Sequence, residues 1–301
     1  LKPNLLVILG PTASGKTRLA VAAARELGGE IISADSRQVF RRMDIGTGKD
    51  LGEYGEVPGH LIDILEPGEE FSVFAFQRLF SEAFAQITAR GRLPILAGGT
   101  GLYLDAVLRG YRLLTVPEDP ALRSELAELS LKELQARLLA LNPQLHNSTD
   151  LLERERLVRA IEIARGTAAG AAEPAQLPLL NPLVFGIRIE REILRQRITA
   201  RLRERLHNGM IEEVAALLAA GIPAERLDYY GLEYRFISRY LSGRLNRNDM
   251  FQQLNAAIHD FAKKQENWFR RMEKQGVPII WLAVDDDLPA ALLREWRQRA
   301  G

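Results

Sequence analysis

LLVILGPTASGKTRLAVAA (residues 5–23) passes from an unbroken apolar run, through a glycine-rich turn, into a helical pattern. Residues 5–9 are apolar at every position, the mark of a strand buried on both faces. From Lys16 to Leu27 the apolar residues Leu19, Ala20, Ala23 and Leu27 recur at helical spacing, and Gly28-Gly29 ends the helix. Between the two, Gly10-Pro11-Thr12-Ala13-Ser14-Gly15-Lys16-Thr17 satisfies G-x-x-x-x-G-K-[ST] in the strand-to-helix setting that this pattern requires. Such a loop binds phosphate. Glycines let the backbone wrap the anion, and successive N–H groups at a helix N-terminus favour its charge. Lys16 adds a mobile positive charge, and the Thr17 hydroxyl suits Mg²⁺. Many chemistries share the loop, so it identifies a phosphate and leaves the reaction open.

Working outward, EIISAD (30–35) reads as a second strand and LIDIL (61–65) as a third. A helical segment over 72–90 stops at Gly91, and LPILA (93–97) is another buried strand, followed by Gly98-Gly99-Thr100-Gly101. Short apolar strands alternating with helices predict an α/β fold, a parallel sheet with helices on both faces. The pattern changes near residue 116. Helix-period segments broken by Pro and Asn follow, as in LNPQLHNSTD (141–150), and TAAGAAEPAQLPLLNP (167–182) is linker-like. LVFGIRI (183–189) returns as a strand, helices resume over 191–219, and VPIIWLAV (277–284) is a last strand. This order predicts a P-loop NTPase-like core in two parts, 1–116 and 183–301, around an all-helical insertion domain, 117–182.

Composition agrees with a folded, non-membrane protein. The chain has 301 residues, 47% hydrophobic and 26% charged, which accommodates about two domains or one with a large insertion. No apolar stretch approaches the roughly 20 residues that span a bilayer, and no signal-like leader precedes the first strand. The absence of cysteine excludes disulfides and thiolate metal sites and fits a reducing cytoplasm, which makes the sequon Asn147-Ser148-Thr149 a chance match. Net charge is only +1, but its distribution is uneven. Residues 188–275 carry 17 Lys and Arg against 12 Asp and Glu, whereas 117–182 carry 7 against 10. Both are explained by solvated helix faces, and the first also by a basic groove for nucleic acid.

Two further motifs lie at strand ends. SADSRQVF (33–40) places Asp35 and Ser36 just past the second strand, and in an open parallel sheet ligands gather at the carboxyl ends of strands. Asp35 either caps the next segment or accepts a proton or meets magnesium beside the phosphate. LAGGTGLYL (96–104) offers glycines for close approach and the Thr100 hydroxyl toward the same crevice. This strand end lacks the acidic residue of many nucleotide hydrolases.

Together these stretches resemble the tRNA dimethylallyltransferase (tRNA isopentenyltransferase) family, over nearly the whole chain. The resemblance rests on GPTASGKT (10–17), IISADSRQVF (31–40), MDIGTGK (43–49), HLIDI (60–64), GGTGLY (98–103), RLVRAIEI (156–163) and AKKQENWFR (262–270). It implies a transferase that moves a dimethylallyl group from dimethylallyl diphosphate to N6 of the adenosine 3′-adjacent to the anticodon in tRNA. By the resemblance, Gly10, Pro11, Thr12, Ala13, Ser14, Gly15, Lys16, Thr17 and Arg235 hold the diphosphate, and Thr17 takes Mg²⁺. Lys16, Asp35 and Thr100 serve the chemistry, Asp35 as the proton acceptor. The tRNA contacts implied are Asp35, Ser36, Arg37, Gln38 and Thr100, with Arg123, Glu155, Arg156, Leu157, Val158 and Arg159 in the insertion. Arg156 and Arg159 suit a phosphate track, or pair with Glu153, Glu155 or Glu162. In the basic helix carrying Lys263, Lys264 and Arg270, Trp268 and Phe269 read as core.

The chain departs from the family pattern at Gly59, where a histidine is usual, and at Glu233, which replaces a glycine before Tyr234-Arg235. It departs again at Ile258-His259-Asp260, where an arginine is missing. A monomeric cytoplasmic protein is expected. Three other classes share the core: an adenylate (AMP or ADP) isopentenyltransferase, a small-molecule kinase with the insertion as its lid, and an RNA-binding relative without turnover.

Overall fold

The computed structural model of the chain describes residues 2–111, 116, 118–141, 154–168, 177–284 and 287–300. Six strands form one parallel sheet: β1 (Leu5–Leu9), β2 (Gly29–Ala34), β3 (Gly59–His60), β4 (Leu93–Gly98), β5 (Pro182–Arg188) and β6 (Ile279–Ala283), in the order β3-β2-β4-β1-β5-β6. Side chains alternate across a strand, so β1 serves two cores at once. Leu5, Val7 and Leu9 join one apolar cluster and Leu6 and Ile8 the other.

Helix α1 (Lys16–Leu27) follows β1 and buries Leu19, Ala20, Ala23 and Ala24 against the second cluster. Helices α2 (Val73–Ala89) and α3 (Gly101–Leu108) flank β4 and pack on the opposite face through Phe76, Phe80 and Tyr103. Next come α4 (Pro120–Ala127), α5 (Leu131–Leu141) and α6 (Arg154–Ala168). These helices close their own small core of Leu122, Leu126, Leu134, Leu138, Leu157 and Ile161. After β5, helices α7 (Arg191–His207), α8 (Met210–Ala219), α9 (Ala224–Tyr230), α10 (Leu232–Leu241) and α11 (Arg247–Lys274) add to the first cluster. Helix α12 (Leu288–Ala300) lies with α1 on the other face through Leu288, Leu292 and Trp296. Among the described residues no helix is long and apolar enough to cross a membrane.

The chain divides into two compact units, one formed by Leu1–Gly110 with Leu177–Gly301 and the other by Tyr111–Gln176. Both boundaries fall a few residues before the expected 117 and 182. The C-terminal one has a visible cause. Asn4 donates its backbone N–H to the Asn181 carbonyl at 3.0 Å and its side-chain amide to that of Leu179 at 2.9 Å. The approach to β5 is thereby fastened to the core. Pro117, the sequon, Glu153, most of the break-rich stretch 141–150 and half of the linker, 169–176, lie outside the described residues.

The expected third strand at 61–65 is corrected. Leu61 and Asp63 have φ of 61° and 55°, which an extended strand excludes. Pairing with β2 stops at Ile32↔His60. The chain then hooks onto the preceding segment, with Asp63 N–H donating to the Gln38 carbonyl at 3.1 Å and Ile64 N–H to that of Val39 at 2.8 Å. Leu61 is buried in the turn, so its apolar character matches a strand or a hook equally well.

Candidate active site

Strand register brings the motifs together. Leu9 pairs with Gly98, and Gly98 in turn with Ala34, so β1, β4 and β2 end level with one another. The next residues, Gly10, Gly99 and Asp35, therefore start three loops on one rim of the sheet. Gly98 makes the fit close: a Cβ there would lie 2.2 Å from the Ala34 carbonyl oxygen. That same carbonyl accepts the Thr100 N–H at 3.1 Å, which ties the end of β4 to the end of β2.

The phosphate loop ends in an open helix N-terminus. Helix α1 begins without a side-chain cap and without an acidic residue in its first turn, whereas α2, α4 and α11 are capped by Ser72, Asp119 and Asn246. An uncapped first turn leaves N–H donors for an anion. Lys16 reaches back to the Pro11 carbonyl at 3.3 Å. Burial pushes its amine down to about 8, Asp35 opposes that shift, and the nearby Arg201 guanidinium adds to it.

The segment after β2 is held from several sides. Asp35 accepts the Arg37 N–H at 3.0 Å, so a local turn consumes one carboxylate oxygen. Thr100 Oγ1 accepts the Ser36 N–H at 3.1 Å. Gln38, buried, accepts from Ser33 Oγ at 2.8 Å and donates to the Gly48 carbonyl at 3.1 Å. Lys49 is fully buried and donates to the Phe40 carbonyl at 2.7 Å, to Asp44 at 2.6 Å and to Asp63. From α8, Glu213 accepts three consecutive backbone N–H groups, those of Asp44 (2.8 Å), Ile45 (2.7 Å) and Gly46 (3.0 Å), and the Tyr234 hydroxyl at 2.7 Å. The MDIGTGK stretch is thus a loop wrapped around one carboxylate.

These loops enclose a cavity of about 360 Å³. Lys16, Thr17, Asp35, Thr100, Arg37 and Gln38 all line it. Arg201 and Arg205 of α7, Glu233 of α10, and Ile258, Phe261, Lys264, Gln265 and Trp268 of α11 complete the wall. Helix α11 presents a buried stripe of Met250, Leu254, Ile258, Ala262, Gln265, Phe269 and Met272, and Gln265 is its one polar member. Its carboxamide accepts the Thr12 N–H at 2.7 Å and donates to the Gly99 carbonyl at 2.8 Å. One side chain therefore joins the phosphate loop to the glycine turn after β4. A second, more open cavity of about 590 Å³ shares Lys16, Thr17 and Arg201 with the first and adds Asp50, Glu53 and Arg197.

Sequence reasoning missed Arg201, Arg205, Gln265 and Glu213. Arg201 pairs with Asp50, and Arg205 is mostly buried with its Nη2 3.7 Å from the same carboxylate. Arg235 is not among the residues lining this cavity: at the α9–α10 corner its Nη2 donates to the Asp228 carbonyl at 3.3 Å, and its Nε lies 3.6 Å from the Asp228 carboxylate. Phe269 is core as expected, whereas Trp268 packs against Gly101 and lines the cavity. Of the departures, Gly59 in β3 pairs with Ile31, beside His60 in contact with Glu30 at 2.7 Å; Ile258 gives the cavity an apolar wall, and His259 lies 3.4 Å from Thr199.

In the helical unit, Leu157 is core, Val158 is partly buried, and Glu155 and Arg156 are exposed on α6. Arg123 and Arg159 grip the buried Glu162 at 2.7 and 2.9 Å. Burial alone would raise the Glu162 carboxyl, but hydrogen bonds from both arginines and the Asp119 N–H hold it near 2.

Fold and cavity together define an α/β protein whose glycine-rich loop after β1 opens onto a partly apolar, aromatic chamber. Comparison with known proteins narrows the class. The family model described as IPP transferase matches residues 38–272, and that described as isopentenyl transferase matches residues 3–56. The tRNA dimethylallyltransferase 2 of Syntrophotalea carbinolica is 67% identical over 291 residues, 97% of this chain and 98% of its own length. That of Pelobacter propionicus is 68% identical, over 93% of this chain and 89% of its own. The crystal structure of the full-length tRNA isopentenylpyrophosphate transferase of Bacillus halodurans superposes with a TM-score of 0.72 at 32% identity, covering 99% of this chain and 98% of that one. The chain belongs to the IPP transferase family.

Proposed function

We propose that the protein transfers a dimethylallyl group from dimethylallyl diphosphate to N6 of the adenosine on the 3′ side of the anticodon in tRNA, releasing diphosphate. One observation carries the proposal: the level ends of β1, β2 and β4 bring Lys16, Asp35 and Thr100 into a single cavity with an apolar, aromatic wall. Ile258, Phe261 and Trp268 give this cavity an apolar face that suits the isoprenoid chain of an allylic donor.

The adenine nitrogen attacks the allylic carbon, the carbon–oxygen bond breaks, and its electron pair leaves with the diphosphate. Lys16, the open turn of α1 and Arg201 and Arg205 stabilise the charge that grows on the leaving group. Asp35 takes the proton that the amine sheds. Its carboxylate is fixed by the Arg37 N–H, and Thr100 anchors the Ser36 backbone beside it. Thr17 lines both cavities and offers a hard oxygen, which fits Mg²⁺. Among the described residues no group of three His, Cys, Asp or Glu is placed to cage a metal. Thr17 is the residue that would hold such an ion. When bound, the ion neutralises charge on the diphosphate. The two cavities share Lys16, Thr17 and Arg201, which suits a donor diphosphate seated between them. An adenine leaves its stack to reach such a chamber. Ser36, Arg37 and Gln38 line the acceptor side. In the helical unit the RNA contacts are Glu155 and Arg156, with the Arg156 cation the one suited to a phosphate.

The test supplies labelled dimethylallyl diphosphate and Mg²⁺ with unmodified tRNA, AMP and ADP in competition. Label entering the RNA is expected. Label entering only AMP or ADP would make the protein an adenylate isopentenyltransferase. ATP-dependent phosphorylation of a metabolite without prenyl transfer would make it a kinase, and RNA binding without turnover a non-enzymatic relative.

A further inference from the structure

Glu233 stands where the family pattern has glycine, and it is buried in the wall of the acceptor cavity. Its Oε2 lies 3.5 Å from Arg37 Nη1 and, among the described residues, makes no hydrogen bond. Arg37 is held on two further sides. Its guanidinium lies over the Phe261 ring, 5.1 Å from the centroid. It also packs on Gly231, where a Cβ would fall 2.6 Å from Nη1 and where φ is 136°. Three separate elements, the loop after β2, the α9–α10 corner and α11, thus converge on one guanidinium. A carboxylate edge and an aromatic face fix the plane of an arginine far better than either alone, and a fixed guanidinium loses little entropy when it grips a base or a phosphate.

We infer that Glu233 is a positioning residue for the RNA acceptor: it orients Arg37, and Arg37 makes the contact. The inference rests on the proposed tRNA acceptor and adds how that acceptor is gripped. Buried charge explains why the pair is sensitive. Removing Glu233 leaves the Arg37 guanidinium without its carboxylate, and Arg37 is then free to swing from Phe261. The main proposed diphosphate contacts, Lys16 and the first turn of α1, belong to other elements, so donor binding is expected to change much less than RNA binding.

The test is steady-state transfer to an unmodified tRNA by the full chain and by Glu233→Gln, Arg37→Ala and the double variant. Glu233→Gln keeps the volume and removes the charge. A rise of about 5- to 20-fold in KM for RNA is expected, with KM for dimethylallyl diphosphate within about twofold of the parent, as loss of a charge-assisted contact gives. The double variant should match Arg37→Ala alone, because the two residues then act through one contact. Glu233→Asp, which keeps the charge, should recover part of the loss. Equal rises in both KM values would overturn the inference in favour of a general structural role, and so would multiplicative effects in the double variant. An unchanged KM for RNA in an active Glu233→Gln would overturn it while leaving the proposed reaction standing, and absence of transfer by the parent protein would instead sink that reaction.

Discussion

Replacing Gln265 with methionine removes two hydrogen bonds without opening a large void. In the parent the carboxamide accepts from Thr12 at 2.7 Å and donates to Gly99 at 2.8 Å, from a buried position on α11. Both partners are backbone groups of the cavity wall, and orphaning a buried backbone group costs about 1–3 kcal/mol. Two of them cost about 2–6 kcal/mol if neither finds water. The cost falls on the alignment of the phosphate loop with the turn that carries Thr100, so it weighs on the reactive complex more than on the fold. At about 1.4 kcal/mol per decade, kcat/KM for dimethylallyl diphosphate should fall roughly 10²-fold. Thermal unfolding should drop by roughly 4 °C or more, given about 2–4 °C per kcal/mol in a unit of this size. Gln265→Glu separates the two bonds. It keeps the acceptor for Thr12, loses the donor to Gly99 and sets a carboxylate beside the diphosphate, so its donor affinity should be lower than that of Gln265→Met. The assays are calorimetric titration with dimethylallyl diphosphate and single-turnover transfer. If Gln265→Met binds and turns over within twofold of the parent, Gln265 does not hold the two loops in register.

Donor affinity should be flat below pH 8 and fall above it. Lys16 in the free site titrates near 8, and an anion favours its charged form, so above that pH binding requires proton uptake. Titration calorimetry that gives a constant affinity to pH 9.5 would remove Lys16 from the diphosphate. Asp35→Asn should lower kcat by roughly 10²-fold or more while leaving donor binding intact, as loss of a general base does; an unchanged single-turnover rate would contradict that role. In the helical unit, Glu162 has a folded value near 2, below the ordinary 4.5, so its contribution is full above pH 4.5 and is lost as pH falls toward 2. Hydrogen exchange in α4 and α6 should quicken over that window, and Glu162→Gln should quicken it at neutral pH. Exchange that is indifferent to both would mean that Arg123 and Arg159 do not depend on this carboxylate.

The strands around the phosphate loop were legible because parallel strands buried on both faces read as apolar runs, as LLVIL and LPILA do. LIDIL misled for the same reason: apolar content does not distinguish a strand from a buried hook, and the positive φ at Leu61 and Asp63 leaves no mark in the residue types. The loop residues of the site were legible through their motifs, whereas its helical residues were obscured. Helix α7 carries six arginines in 17 residues, so no single one stands out. The signal lay in the spacing. Leu194, Ile198 and Leu202 are its buried stripe, and Arg201 and Arg205 fall seven residues after the first two, on the same face. Gln265 breaks the apolar stripe of α11 in the same way, and Glu213 lies three residues past the buried Met210. A polar residue on a buried stripe must find a partner inside, and here those partners are the active-site loops. For Arg235 the motif fixes a sequence position and not the direction of the side chain, which here turns to Asp228.

The most direct measurement follows both products of one reaction. The protein, Mg²⁺, dimethylallyl diphosphate and an unmodified anticodon stem–loop are mixed, and diphosphate release and RNA mass are recorded together. One diphosphate should appear for each prenyl group gained, and digestion should place that group on N6 of the single adenosine 3′ to the anticodon. Diphosphate released without RNA modification, or a prenyl group on any other residue, would contradict the assignment of this cavity to tRNA prenylation.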